Sequence, residues 1–274
     1  MNLDLTAALT TGRVFDLSQP YYVGMPHHPN HPPYLFGLVK KHGDYLTPTG
    51  TSSASDAIAL GSHVGTHIDA FCHFSLAGKL CDGTAVAEVQ SYAAGLERFS
   101  VDTIQPILRR GVLLDIAGSE GAGELPIDFA ITPAMLAKAA GGTPIHPGDV
   151  VLIRTGWAKF WHDAARYISQ VHGPGPELDG AKWLSSKGIF AAGSDTVAFE
   201  KVPSRDMPVH IHFLVEKRIH IIEALNLEEL AAAEVKEFLL VAAPMKLKGA
   251  TGAPIRPLAI APNYYGLTFK AVKI

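Results

Sequence analysis

Between His63 and His73 the chain runs His63-Val64-Gly65-Thr66-His67-Ile68-Asp69-Ala70-Phe71-Cys72-His73, which places three imidazoles and one carboxylate within eleven residues of otherwise small or apolar side chains. Such groups are costly to bury unless they bind something, so any fold that accepts this segment must give it a ligand or leave it in water. At about 100° per residue His63 and His67 share a helical face, but Asp69 points roughly 120° away from the first. One regular helix therefore does not serve, and a turn or strand-to-helix junction is expected at Gly65, which tolerates backbone angles other residues avoid. Two imidazoles and a carboxylate are the donor set of a catalytic metal site with an open position, and His63, His67 and Asp69 are the candidate ligands. The donors suit zinc, manganese or iron, and His73 is left as a base. The plain alternative is a set of unrelated loop residues, and for Cys72 a small apolar filler competes with a thiol nucleophile.

Around this motif the pattern alternates strand and helix. Ala54 to Leu60 reads as a strand, a helical stretch is expected to begin near Asp102, and Val112 to Ile116 reads as a buried strand bounded by Gly111. Thr132 and Pro133 open a helix to about Ala140, with Thr132 as cap and Pro133 in the first turn. Val150 to Thr155 is a second apolar strand, Asp179 to Lys187 a helix, and Ile189 to Ala192 a third strand. Val209 to Lys217 reads as a helix, Ile219 to Glu223 as a core strand, and Phe238 to Ala243 as another. Asn226 is expected to cap a further helix, with Glu229 three residues later completing the capping-box spacing. The alternation predicts an α/β class with a mixed sheet and flanking helices.

Length and composition narrow the class of partner. With 274 residues and 47% apolar content the chain can bury a large core, and one domain over residues 1–274 is expected. The net charge of -3 is not gathered in runs, so nucleic acid and membrane surfaces are excluded as partners in favour of a small molecule. Two cysteines cannot build a disulfide framework, and Met1 to Leu5 has neither the basic start nor the apolar core of a signal peptide. The expectation is a reduced, cytoplasmic setting.

Three further features bear on the site. Residues 14–34 read as a short strand followed by a loop with His27, His28 and His31 among several prolines, a stiff loop that lies at a surface or at the rim of the metal pocket. Arg256, in the Gly/Pro segment from Gly249 to Pro257, could hold a carboxylate or form a surface ion pair. The second His cluster, His210-Ile211-His212 with Glu216, has the core spacing of a cupin motif, which would place a metal-binding module on jelly-roll strands. That motif is incomplete, because Ser204 stands where a Gly is expected.

The motif His63-x-Gly65-Thr66-His67-x-Asp69-x-x-x-His73 resembles the signature of the cyclase-like metal-dependent hydrolases, which include the bacterial kynurenine formamidases and isatin hydrolases. Other segments are similar to that family in the same order: Asp16-Leu17-Ser18 with Gly24-Met25-Pro26, Gly148 to Trp157, Gly193-Ser194-Asp195, Pro208-Val209-His210, and Gly249 to Gly252 with Pro254 and Arg256. The resemblance implies a swivelling β/β/α fold, a homodimer or homotetramer, and hydrolysis of a C–N bond in a small N-formyl or cyclic amide. It implies His63, His67 and Asp69 as metal ligands for zinc or manganese and His73 as general acid/base. In the formamidases a later His and Glu complete the site and the counterpart of Asp69 bridges two zinc ions. Glu223 matches the Glu, and His210, or failing it His212, the His. Two departures fall on the substrate side: Phe71 stands where the family often has Pro, and His28 where formamidases carry Trp. With Arg256, these are the candidate substrate-binding residues.

Overall fold

In the computed structural model residues 12–261 are described; the reading of Met1 to Leu5 lies outside them, as do both ends of the 1–274 domain. A nine-stranded mixed sheet forms the body. Its strands, in chain order, are β1 (Arg13–Asp16), β4 (His67–Asp69), β5 (Ile107–Asp115), β6 (Val150–Arg154), β7 (Ala191–Ser194), β8 (His220–Glu223), β9 (Glu237–Ala242), β10 (Gly252–Pro254) and β11 (Leu258–Ala261), while β2 (Leu35–Lys40) and β3 (Ser55–Ala59) pair apart as a hairpin. Across the sheet the order is β1-β11-β9-β5-β6-β7-β8-β4-β10, with β5 to β8 parallel and both flanks antiparallel.

The central strands are continuous apolar runs because both faces are covered. Along β6, Val150 and Leu152 enter the core on one face and Val151 and Ile153 the core on the other, none of them exposed. The second face is roofed by α1 (Pro133–Ala140), α2 (Leu178–Ser185) and α3, which starts at Pro208–His210 and continues as a π-helix over Ile211–Lys217. Thr132 caps α1, its hydroxyl accepting from the Met135 N–H, with Pro133 in the first turn and left-handed Gly141 closing the helix. The mixed sheet with flanking helices is thus as the sequence pattern predicts.

Three local expectations are corrected. The helix near Asp102 is a single 3-10 turn, Val101–Thr103, and β5 starts at Ile107 rather than Val112. Only Gly111 to Asp115 has β6 on its far side, so the first half of β5 is an edge on which Leu108 is exposed, and it lacks the buried-strand signature. Asn226 does not cap the helix after it. Leu227 heads that helix, α4 (Glu228–Ala232), and the Asn226 carboxamide oxygen only accepts from the Glu228 N–H at 3.4 Å.

Candidate metal centre

The ligand set is assembled by strand register. His67 and Asp69, two apart on β4, share one face of the strand, and Ile68 between them is fully buried on the other. In the adjacent β8 Glu223 lies directly opposite His67, which brings a carboxylate from the far end of the chain to the early motif. Gly65, at a φ of +64°, makes the turn that lets His63 fold back, and a Cβ there would meet the Tyr21 ring at 2.4 Å. The junction is therefore turn, strand, then a 3-10 turn over Phe71–His73. His210 arrives from the start of α3.

Two triads result, His63 with His67 and Asp69, and Asp69 with His210 and Glu223, each with its donor atoms within 4.8 Å of one another. Asp69 is common to both. His63 Nδ1 stands 2.7 Å from Asp69 Oδ1, and His210 Nε2 stands 3.2 Å from Glu223 Oε1 and 3.9 Å from Asp69 Oδ2. All five are buried, and His67 Nε2 and Asp69 Oδ2 have no hydrogen-bond partner. His67 Nε2 lies 3.5 Å from Asp69 Oδ1 and 3.4 Å from Glu223 Oε2, close enough for attraction without hydrogen-bond geometry. A buried lone pair and a buried carboxylate oxygen left open to the same space fit a cation.

The far side of each imidazole is engaged. His67 Nδ1 donates to the Gly65 carbonyl at 2.8 Å, and His210 Nδ1 donates to Glu200 Oε1 at 2.7 Å, each leaving Nε2 toward the centre. His63 Nε2 meets the Thr251 hydroxyl at 2.8 Å. Outer partners of this kind fix ring orientation and tautomer in metal sites. Glu223 Oε1 also accepts from the Phe199 N–H at 2.7 Å.

The charges make the same point. Burial pulls His67 and His210 down, but the nearby carboxylates of Asp69 and Glu223 for the first, and hydrogen bonds to Glu200 and Glu223 for the second, outweigh it and lift both to about 10. Burial pushes Glu223 up, yet the hydrogen bond from His210 and the nearby imidazole of His67 bring it to about 2. Asp69 is likewise held well below its usual range against burial, by the imidazoles of His73 and His63. The carboxylates demand positive charge, and a dication would supply it in place of the imidazolium protons. His73 behaves oppositely: burial drives it down to about 3, overriding attraction by Asp69. Its ring stacks on His63 with 3.8 Å between ring centroids.

The centre opens into a cavity of about 450 Å³ whose lining includes His28, His31, His63, His73, His210 and Glu223. The Pro/His loop is thus a rim. His31, not singled out in the sequence, stacks over His63 at 5.2 Å. Glu200 and Thr251 are also additions; neither stands near a ligand in the chain, and only Thr251 falls in a segment, Gly249 to Gly252, that family likeness marks.

Two candidate substrate residues are not brought to the cavity. The Phe71 ring stacks on His220 at 4.0 Å and packs into the core under α3, since the 3-10 turn sends it to that side. Arg256 pairs with Asp16 at 2.7 Å in a separate groove and is 77% exposed. The cupin set is not assembled either. His212 bonds Ser185 Oγ at 2.9 Å and Glu216 at 2.8 Å, on the opposite side of α3 from His210, and the ligand strands belong to the mixed sheet rather than a jelly roll.

The model of the Cyclase family, described as "Putative cyclase", matches residues 15–201. An isatin hydrolase of Roseibium aggregatum is 30% identical over 216 residues, 75% of this chain and 74% of that protein. A kynurenine formamidase of Bordetella petrii is 24% identical over 251 residues, 90% of this chain and 97% of its own length. Among solved structures, a crystal structure of a novel cyclase superposes with a TM-score of 0.85 at 28% identity, covering 93% of this chain and 89% of that one.

Proposed function

The chain belongs to the Cyclase family, and from that premise we propose that its centre hydrolyses the C–N bond of a small amide, an N-formyl group or a cyclic amide, with water as nucleophile. The observation that carries this reading is the pair of buried triads sharing Asp69, with open donor atoms beside a neutral imidazole at the floor of a cavity. His63, His67 and Asp69 would hold one divalent ion, and Asp69, His210 and Glu223 a second. Nitrogen and oxygen donors without a thiolate suit zinc or manganese. Such a cation, when bound, lowers the pKa of water toward roughly 7 and polarises the carbonyl oxygen.

The protein's own groups supply the rest. His73, kept neutral by burial, takes the proton of the attacking water and returns it to the departing nitrogen, so the C–N bond breaks without releasing an amide anion. His63 stacks on its ring at 3.8 Å and His31 stands 6.5 Å away, centroid to centroid. His28, at the rim, is the substrate contact this reading retains. Both triads and the base come from one sheet, the turns on either side of β4 and the roofing helix α3, which supports reading the chain as one domain.

The hairpin β2–β3 supports a homodimer or homotetramer. Leu35, Phe36, Leu38, Val39 and Ile58 are all about half exposed or more, and a two-stranded hairpin is marginal by itself. Among the described residues no helix is long and apolar enough to cross a membrane, and both cysteines are free, which supports a reducing, cytoplasmic setting. Elemental analysis of the purified protein, followed by a screen of formamides, cyclic amides and lactones after reloading zinc or manganese, tests the reading. Bound metal with metal-dependent amide hydrolysis is expected. A protein that neither takes up metal nor cleaves any of these compounds overturns it.

A further inference from the structure

The three imidazoles aimed at the centre differ in what holds their far side. His67 leans on a carbonyl and His210 on a carboxylate, groups that only accept. His63 leans on a hydroxyl, Thr251 Oγ1, 2.8 Å from Nε2. The next residue lies against the same ring: a Cβ on Gly252 would stand 2.5 Å from His63 Cε1 and 2.9 Å from Nδ1. The backbone carrying both residues has no freedom to move aside. Gly252 is paired with Asp69 in the β10–β4 ladder, and the Thr251 carbonyl accepts from the Ala70 N–H at 2.9 Å.

We propose that Thr251 and Gly252 are positioning residues for His63, Gly252 making room for the ring and Thr251 holding it in either tautomer. The inference rests on the metal reading above. A hydroxyl donates or accepts as required. While the ring proton sits on Nδ1, facing Asp69 Oδ1 at 2.7 Å, Thr251 donates to the bare Nε2. With a cation bound, Nδ1 would give its proton to solvent and offer its lone pair, Nε2 would take a proton from solvent and donate a hydrogen bond to Thr251, and the ring would stay in place as its tautomer changes. A carbonyl or carboxylate at this point would stabilise only the second state. His63 thus has a partner matched to both the empty and the loaded centre.

Chelator competition with Mn²⁺ or Zn²⁺ on the full-length protein tests this. Thr251→Val should weaken affinity roughly 10- to 100-fold, the usual cost of losing an outer partner, and Thr251→Ser should recover most of it. Gly252→Ala should weaken binding too, because the ring must shift. The metal-free melting temperature of Thr251→Val should fall by a few degrees at most, the effect of one lost hydrogen bond, and by less than that of the metal-loaded protein. Unchanged affinity in Thr251→Val, no recovery by Thr251→Ser, or a melting temperature lowered as much without metal as with it overturns the proposal. If the parent protein binds neither ion the metal reading fails, and the clamp is decided separately by the ring nitrogen shifts of metal-free protein. His63 Nε2 should then move in Thr251→Val but not in Thr251→Ser, while an unmoved resonance overturns the clamp as well.

Discussion

His210 and His212 stand two residues apart on one helix and are equally buried, at 3% exposure each, yet they do different things. At about 100° per residue they point roughly 200° apart, so only one can face the β8–β4 pair that carries Glu223 and Asp69. His212 has both ring nitrogens satisfied, by Ser185 and by Glu216, and ties α3 to α2. His210 has one nitrogen fixed by Glu200, while the other faces the carboxylates of Glu223 and Asp69 at 3.2 and 3.9 Å. Residue type and burial therefore do not make a ligand. What separates the two faces of the helix is the charge waiting on the other side.

Asp69 is where that charge is concentrated, so removing it should give the largest effect. Asp69→Asn takes an anion from both triads at once and should release the metal and abolish hydrolysis, a greater loss than the roughly 10²- to 10⁴-fold that follows removal of a general base. Metal content per chain checks it directly. Full occupancy in the variant would mean that uncompensated carboxylate charge is not what marks the centre.

His73→Ala separates holding from proton transfer. It should keep its metal and its fold while turnover falls by roughly 10² to 10⁴. The imidazole stacks on His63 but belongs to neither triad. Near-normal turnover with metal retained would remove His73 as the base, whereas loss of metal would make it a ligand.

The same contrast governs what could be read from the chain. Strand β6 was legible because all of its residues are buried between two packed layers, which writes an unbroken apolar run. Helix α1 was legible because Thr132, Pro133 and Gly141 act on backbone within a few residues of themselves. The half-edge of β5 was not, since Leu108 to Arg110 sit where only one neighbour pairs with them. In the centre, His63, His67, Asp69 and His73 are neighbours in sequence, so their joint chemistry shows as a motif, and Glu223 and His210 came only through family likeness. Glu200 and Thr251 act across the fold through single hydrogen bonds, which leave no periodicity or spacing behind. Phe71 and Arg256 failed for a related reason: their chemistry suits a pocket, but a stacking partner in one case and Asp16 in the other takes it elsewhere.

The smallest expected effect is the sharpest test of the two-faced helix. His212→Ala removes two hydrogen bonds and leaves a void between α3 and α2, which should cost about 1–3 kcal/mol of stability. Thermal unfolding of the metal-free protein measures that loss. Metal affinity and turnover should stay within about twofold of the parent, because a side chain bonded away from the centre contributes no ligand atom to it. In His210→Ala the pattern should invert, with metal and turnover lost. If His212→Ala instead released the metal while His63 and His67 could be replaced without effect, the ligands would be His210, His212 and Glu216, and the contrast between the two faces would be drawn the wrong way round.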